Sequence, residues 1–165
     1  VDTLMVDEAD LFKNLFFATR KRNVAGLNGT ESGRATDMFI KSQHILEKHN
    51  DRGLYFATGT PISNSMAEMY TMQRYMAMRK LREMNLHHFD AWADNFGECT
   101  TAVEKTPQGT FRAKTRFAKF VNLPELITQY RSFADVRTRE DLKHILPTPK
   151  IKGDGPQFHV APMSE

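Results

Sequence analysis

Two stretches share a layout that restricts the fold more than anything else in these 165 residues: "DTLMV" running into "DEAD" (2–10), and "GLYFAT" running into "GTPISNS" (53–65). Each is a short apolar run, partly β-branched or aromatic, that stops at a polar loop. That is the pattern of a strand buried on both faces. Between them, Met38, Ile45 and Leu46 recur at helical spacing over about Arg34 to Lys48, and "NDRG" follows as a stop. After the second strand, Asn64 or Ser65 can cap a helix that runs to about Met84. In it Met66, Met69, Tyr70, Gln73 and Met76 fall largely on one face, and a methionine stripe of this kind reads as adaptable core. Strand, helix, strand, helix predicts a parallel α/β arrangement.

The second half follows a different pattern. Phe89, Trp92 and Phe96 sit at i, i+3 and i+7 of a helix over about His88 to Phe96. "TAVEKTPQGTFRAKTRF" (101–117) alternates around "PQG" and predicts a β-hairpin. "LPELITQYRSF" reads as a helix, "TREDLKHIL" as a short one closed by Pro147, and "QFHVA" in the Pro/Gly-rich tail as a strand. The long connection "FKNLFFATRKRNVAGLNGTESG" reads as irregular. Three segments are therefore expected: 1–86 as the α/β part, 87–132 as a helical and hairpin insertion, and 133–165 as a linker.

Composition narrows the function classes. Hydrophobic residues make up 40% and charged residues 26%, and no apolar run approaches the 18 or so residues of a membrane helix. The start of the chain lacks the basic-then-apolar layout of a signal peptide. The single cysteine, Cys99, permits no internal disulfide and fits a reducing, cytoplasmic setting. His87 and His88 are adjacent, and no His or Cys pair has a zinc-site spacing, so histidine-bound metal is not expected. A net charge of +3 permits contact with nucleic acid without demanding it.

Asp7, Glu8 and Asp10 follow directly on the first strand. In open parallel sheets ligands bind beyond the carboxyl ends of the strands. An Asp placed there can hold Mg²⁺, directly or through water, while the next acid orients the water that attacks a γ-phosphate. The same three acids can equally form a solvated turn, and taken alone they leave both readings open.

The second stretch, at its distance from the first, brings in a family. "VDEADLFKN" resembles motif II (Walker B) of Swi/Snf-type DNA translocases, a branch of helicase superfamily two, with Lys13 and Asn14 as its trailing Lys-Asn. "ATGTPISNSMAEMYTMQRYM" resembles motif III, and "FADVRTREDLKHILPTPK" resembles the segment that leads to the second motor lobe. The linker departs from the pattern at Val136, Leu142 and Thr148. "FKNLFFATR" and "FDAWADNFGE" add a likeness to the helicase-like part of large phage and mobile-element proteins, which commonly join such a motor to an adenine-specific DNA methyltransferase.

The resemblance implies part of a RecA-like P-loop NTPase lobe, α/β with an inserted hairpin. It also implies ATP and Mg²⁺ as cofactors of the intact parent, and duplex DNA, the remaining lobes and a methyltransferase domain as partners. Asp7 would hold the Mg²⁺ and Glu8 would orient water. Asp10, Thr58, Gly59, Thr60, Pro61 and Asn64 would couple the nucleotide site to DNA. The chain holds no P-loop: "GLNGTESGRAT" (26–36) has Arg34 where Lys is needed, its spacing from Gly29 to Gly33 is one residue short, and no strand precedes it. With no initiator Met and a first residue already in a strand, it reads as a piece of a longer protein, inactive by itself. An apolar sheet edge and face left exposed beside "TLMV" or "GLYFAT" would then make it self-associate, or the tail would fold back over the gap.

If "TFRAKTRFAKF" is a strand, Arg112, Lys114 and Arg116 share one face with Phe111 and Phe117 opposite, and that basic face is a candidate phosphate tracker. The rival to a motor fragment is a non-catalytic DNA- or protein-binding module that keeps the motor's shape.

Overall fold

A computed structural model describes residues 1–21, 24–25, 27, 32–63, 65–106 and 108–147. It divides into two compact units, Val1–Phe133 and a second beginning at Ala134. Among the described residues, the first unit runs β1 (Leu4–Val6), a single 3-10 turn (Ala9–Phe12), β2 (Val24–Ala25) and α1 (Gly33–Lys48). It continues through β3 (Leu54–Phe56), α2 (Ala67–Glu83), α3 (Phe89–Phe96), β4 (Gly97–Lys105), β5 (Phe111–Phe120) and α4 (Leu123–Arg131). The chain is a mixed α/β protein.

The two apolar runs that precede the polar loops are strands, and they pair with each other. β1 and β3 lie parallel, with Leu4 opposite Leu54 and Val6 opposite Phe56, and α1 connects them in sequence. Ser32 caps α1 by accepting from Ala35 N. The strand pattern alone implies two covered faces, and the incomplete sheet leaves one of them exposed, as expected of a fragment. Met5 and Tyr55, opposite one another in the register, are 75% and 59% exposed, so one face of this sheet is open. The other face packs towards the helices, where Phe56, Phe12, Met38 and Phe39 surround Leu15, Ala35 and Tyr75.

A second sheet has the order β2-β5-β4. β4 and β5 form the expected hairpin, longer than its alternation suggested, and β2 joins the outer edge of β5 in parallel. β2 falls within the stretch that reads as irregular, and two residues are too few for a period to show.

α2 lies between these parts and is buried on more than the one face that its methionines mark. Ala67, Met69, Tyr70 and Leu81 enter the larger core with Phe89, Trp92, Phe96, Phe117 and Leu126, while Tyr75 belongs to the smaller one. Every residue from Ala67 to Gln73 is buried, Glu68, Thr71 and Gln73 included, so the first half of α2 is central to the fold. Its helical dihedrals break once, at Ala77. It starts at Ala67, and Ser65 Oγ accepts from Ala67 N at 3.2 Å.

Trp92 anchors the larger core. It is fully buried among the rings of Tyr70, Phe89, Phe96 and Phe117, and its Nε1 donates to Gln73 Oε1 at 2.6 Å. Gln73 in turn donates through Nε2 to Gln129 Oε1 at 3.3 Å. α3 passes into β4 without a loop, and Gly97 at that junction is covered by the Phe117 ring: a Cβ there would lie 1.7 Å from Phe117 Cζ. Gly97→Ala is therefore expected to push Phe117 out of its place and cost roughly 1–3 kcal/mol, the usual penalty of overpacking. A shift of the denaturant midpoint measures it, and an unchanged midpoint would show that the ring has room to move.

In the second unit, "TREDLKHIL" forms consecutive turns instead of the expected helix. Thr138 and Asp141 make the reciprocal bonds of a cap, Thr138 N to Asp141 Oδ2 at 2.8 Å and Asp141 N to Thr138 Oγ1 at 3.4 Å. Most of the segment is exposed, and so short a stretch does not hold a regular helix without packing. The "QFHVA" strand and Thr148 lie outside the described residues.

Candidate functional site

β1 and β3 are neighbours and parallel, so the loops that leave them emerge side by side. Ala57 N donates to Val6 O at 2.8 Å and Ala9 N to Ala57 O at 3.0 Å, which continues the pairing past the ends of both strands. Asp7 and Glu8 are exposed there, and Asp7 Oδ1 accepts from Glu8 N at 3.0 Å. Asp10 sits in the 3-10 turn, half-buried, and Thr58 Oγ1 donates to its Oδ1 at 2.9 Å. Thr60 N donates to Thr58 Oγ1 at 3.1 Å, which curls the loop over that bond. Gly59 faces open space, with nothing within 4 Å of the position a Cβ would take. Pro61 is half-buried beyond it, and Asn64 lies outside the described residues.

Glu8 has φ 52° and ψ 49°, the left-handed region. Among the described residues every other positive φ belongs to Asn, Asp or Gly, which tolerate it. For a Glu that conformation costs about 1–2 kcal/mol. The strain lies at an exposed carboxylate just beyond a strand end.

The loops are fastened a second time, by Lys13, Ser63 and Glu68. Lys13 donates to Ser63 Oγ and lies 3.4 Å from Glu68 Oε1, while Ser63 N donates to Glu68 Oε2 at 2.6 Å. Glu68 is only 7% exposed. The sequence carries a signal for it: Ser65 and Glu68 have the spacing of a capping box, but the carboxylate reaches back to Ser63. The connection that follows is tied to the helices. Arg74 Nη1 donates to Phe16 O at 2.6 Å with its guanidinium over the Phe39 ring, and burial holds its pKa below the usual arginine range. Asp90 accepts from Thr19 Oγ1 and, at 2.8 Å, from Arg20 N.

Mg²⁺ prefers one or two carboxylates together with phosphate oxygens and water. The exposed Asp7 carboxylate fits that role. Among the described residues no group of three or more His, Cys, Asp or Glu side chains could cage an ion.

The hairpin places Arg112, Lys114 and Arg116 on one face, cross-strand from Glu104, Ala102 and Thr100. Arg116 is not free: it makes a two-pronged pair with Glu104 at 2.7 and 2.9 Å, and that bond holds the Glu104 carboxyl below its ordinary range. Among the described residues no ion pair involves Arg112 or Lys114. On the opposite face Phe117 is buried, whereas Phe111 and Val103 near the tip are 75% and 69% exposed. The acid loops and this hairpin are built on separate sheets.

A family model described as "Probable helicase domain" matches residues 1–138. The chain is also 23% identical over 153 residues to "Defense against restriction protein B" of Escherichia phage P1, an alignment that covers 91% of this chain and 7% of that protein. The chain thus spans a small fraction of the length of the curated relative it matches. No solved structure matches it. No helix among the described residues is long and apolar enough to cross a membrane.

Proposed function

The chain belongs to the probable helicase domain family, and from that premise we propose that it is the motif II-to-III part of the first lobe of an ATP-driven DNA translocase of Swi/Snf type. One observation carries the reading. Two polar loops meet at the carboxyl ends of adjacent parallel strands, joined by the Thr58–Asp10 bond, with a strained Glu8 exposed beside them.

In this reading Asp7 faces the metal of a bound nucleotide, and Glu8 accepts a hydrogen bond from the attacking water and holds it in line. Mg²⁺, when bound, would neutralise charge on the phosphates. Asp10 passes any shift of the acid loop to Thr58, and Thr58 passes it to Gly59, Thr60 and Pro61, which would face DNA with Asn64. A P-loop, the second lobe and a methyltransferase domain would be supplied by other parts of the longer protein. The relative's name concerns defence against restriction in a phage, which supports a phage setting for the longer protein.

This division of labour makes a direct test. The chain alone is expected to bind ATP no more tightly than about millimolar by calorimetry, because one or two exposed carboxylates hold Mg²⁺ weakly without further phosphate ligands. The longer protein is expected to hydrolyse ATP faster when duplex DNA is added. Micromolar affinity in the isolated chain, or a longer protein with no DNA-stimulated hydrolysis, would overturn the proposal. The open Met5 and Tyr55 face supports pairing with another part of the longer protein or with a second copy.

The hairpin favours a second reading in which the domain binds DNA or protein without turnover, because its tip exposes apolar and basic side chains together. Replacing Arg112 and Lys114 by Ala is expected to weaken duplex binding equally across sequences and to lower the salt slope by about one for each phosphate no longer neutralised. Arg116→Ala should add less, since Arg116 already has Glu104. A slope that stays the same would mean that this face is only solvated.

A further inference from the structure

We propose that Lys13, Ser63 and Glu68 form a latch that makes the acid loop and the Thr58–Pro61 loop move as one body. Glu68 is the fixed point. It stands in the first turn of α2, the helix that enters both cores, where the positive end of the helix favours its charge. One carboxylate oxygen accepts from Ser63 N at 2.6 Å and Ser63 Oγ at 3.2 Å, and the other lies 3.4 Å from Lys13 Nζ. Lys13 closes the triangle by donating to Ser63 Oγ.

Lys13 belongs to the acid loop, one residue after the 3-10 turn that carries Asp10, and Lys13 N donates to Asp10 O at 3.2 Å. Ser63 belongs to the other loop, two residues after Pro61. The Thr58–Asp10 bond joins the loops at their near ends and the latch joins them at their far ends. Two fastenings stop the hinge motion that one would allow. Lys13 is suited to the task because its ammonium donates to Ser63 Oγ while its charge pairs with Glu68, on a stem that covers apolar surface. Neither charge is well exposed: the side chains keep 19% and 9% of their accessible surface, so their attraction is little screened. Lys13 and Glu68 are thus positioning residues, which act on the nucleotide through the loops they hold. Their functional importance rests on the motor reading, but the mechanical coupling does not.

Amide hydrogen exchange in the 165-residue chain tests the coupling without any turnover. Glu68→Gln keeps the size and an acceptor for Ser63 N but removes the charge that holds Lys13. It is expected to speed exchange at Ala9 and Leu11, on the loop that Glu68 reaches only through Lys13, by about tenfold, with less than about threefold change in β1 and β3. Lys13→Met is expected to speed exchange at Thr60 and Ser63 to a similar degree, and Lys13→Arg to restore most of the protection. The double variant should match the worse single one within about twofold, because the two side chains act as a unit. Exchange at Ala9 and Leu11 that ignores Glu68→Gln, or a double variant in which the effects multiply, would overturn the latch. Should Lys13→Met lose its native Trp92 fluorescence, Ser63→Ala carries the same measurement with both charges kept. Failure of ATP hydrolysis in the longer protein would remove the motor reading and leave this outcome untouched.

Discussion

Glu8→Gln, placed in the longer protein, is expected to cut ATP turnover by at least about a hundredfold while nucleotide binding persists, the usual scale for losing a group that handles the attacking water. The amide keeps the length and the hydrogen-bonding reach of the side chain, so the loop is not rebuilt; only the charge that orients water is lost. Steady-state phosphate release and a fluorescent nucleotide separate the two effects. Turnover within about twofold of wild type would end the assignment of Glu8. A companion variant uses the backbone. Glu8 has a left-handed φ of 52°, which glycine adopts without penalty. Glu8→Gly should therefore stabilise the isolated chain by about 0.5–1 kcal/mol after allowing for the freer unfolded state, and abolish turnover in the longer protein. Stability gained where activity is lost would mark Glu8 as retained for chemistry.

The largest loss of stability is expected at Trp92. Trp92→Ala should cost roughly 3–5 kcal/mol, because the site is enclosed by four other rings and cannot collapse. Against a total of about 5–15 kcal/mol for a domain of this size, that leaves the chain barely folded. Trp92→Phe separates ring from hydrogen bond. It keeps most of the apolar surface but leaves Gln73 Oε1 without its donor inside the core, at about 1–3 kcal/mol. Urea unfolding of both variants measures this. A loss below about 0.5 kcal/mol for Trp92→Phe would mean that the Gln73 bond contributes nothing net.

How far the sequence discloses this structure depends on the period of each signal. β1, β3, α1 and α3 are legible because each buries a regular pattern, and Phe89, Trp92 and Phe96 are all buried as their spacing requires. β2 is not legible, since two residues have no period, and its pairing with Thr115 and Arg116 is a tertiary event. The exposure of Met5 and Tyr55 does not show in the pattern of either strand, which reads the same whether one face or both are covered; it follows only from the expectation that a neighbouring strand is lacking. At the site, the acids and the Thr58–Pro61 loop stand out by residue type. Their meeting follows from the parallel pairing, but the contact of Lys13 with Ser63 and Glu68 is not legible until the loops are folded together, although Lys13 is marked by the motif II resemblance and Glu68 by its capping-box spacing. Arg116 shows the converse, because strand alternation marks it as a free cation, and it pairs diagonally across the hairpin with Glu104, which the register sets opposite Arg112.

The register also bears on the order in which the molecule assembles. β4 and β5 are joined by a short turn and dock on α3, which precedes them directly, so this half needs only local chain closure. β1 must instead find β3 across the whole of α1, with Leu4 against Leu54, and β2 must find β5 from still further away, with Val24 against Thr115. Pairings between distant segments form slowly, because the chain entropy is lost before new interactions offset it. Refolding should therefore show two phases: burial of Trp92 with the hairpin and helices first, and closure of the acid loop onto Thr58 last. A nascent or stressed copy of this domain would thus hold an ordered hairpin and core while the acid loop and the Thr58–Pro61 loop are still unmade, and it would lose those loops first on unfolding.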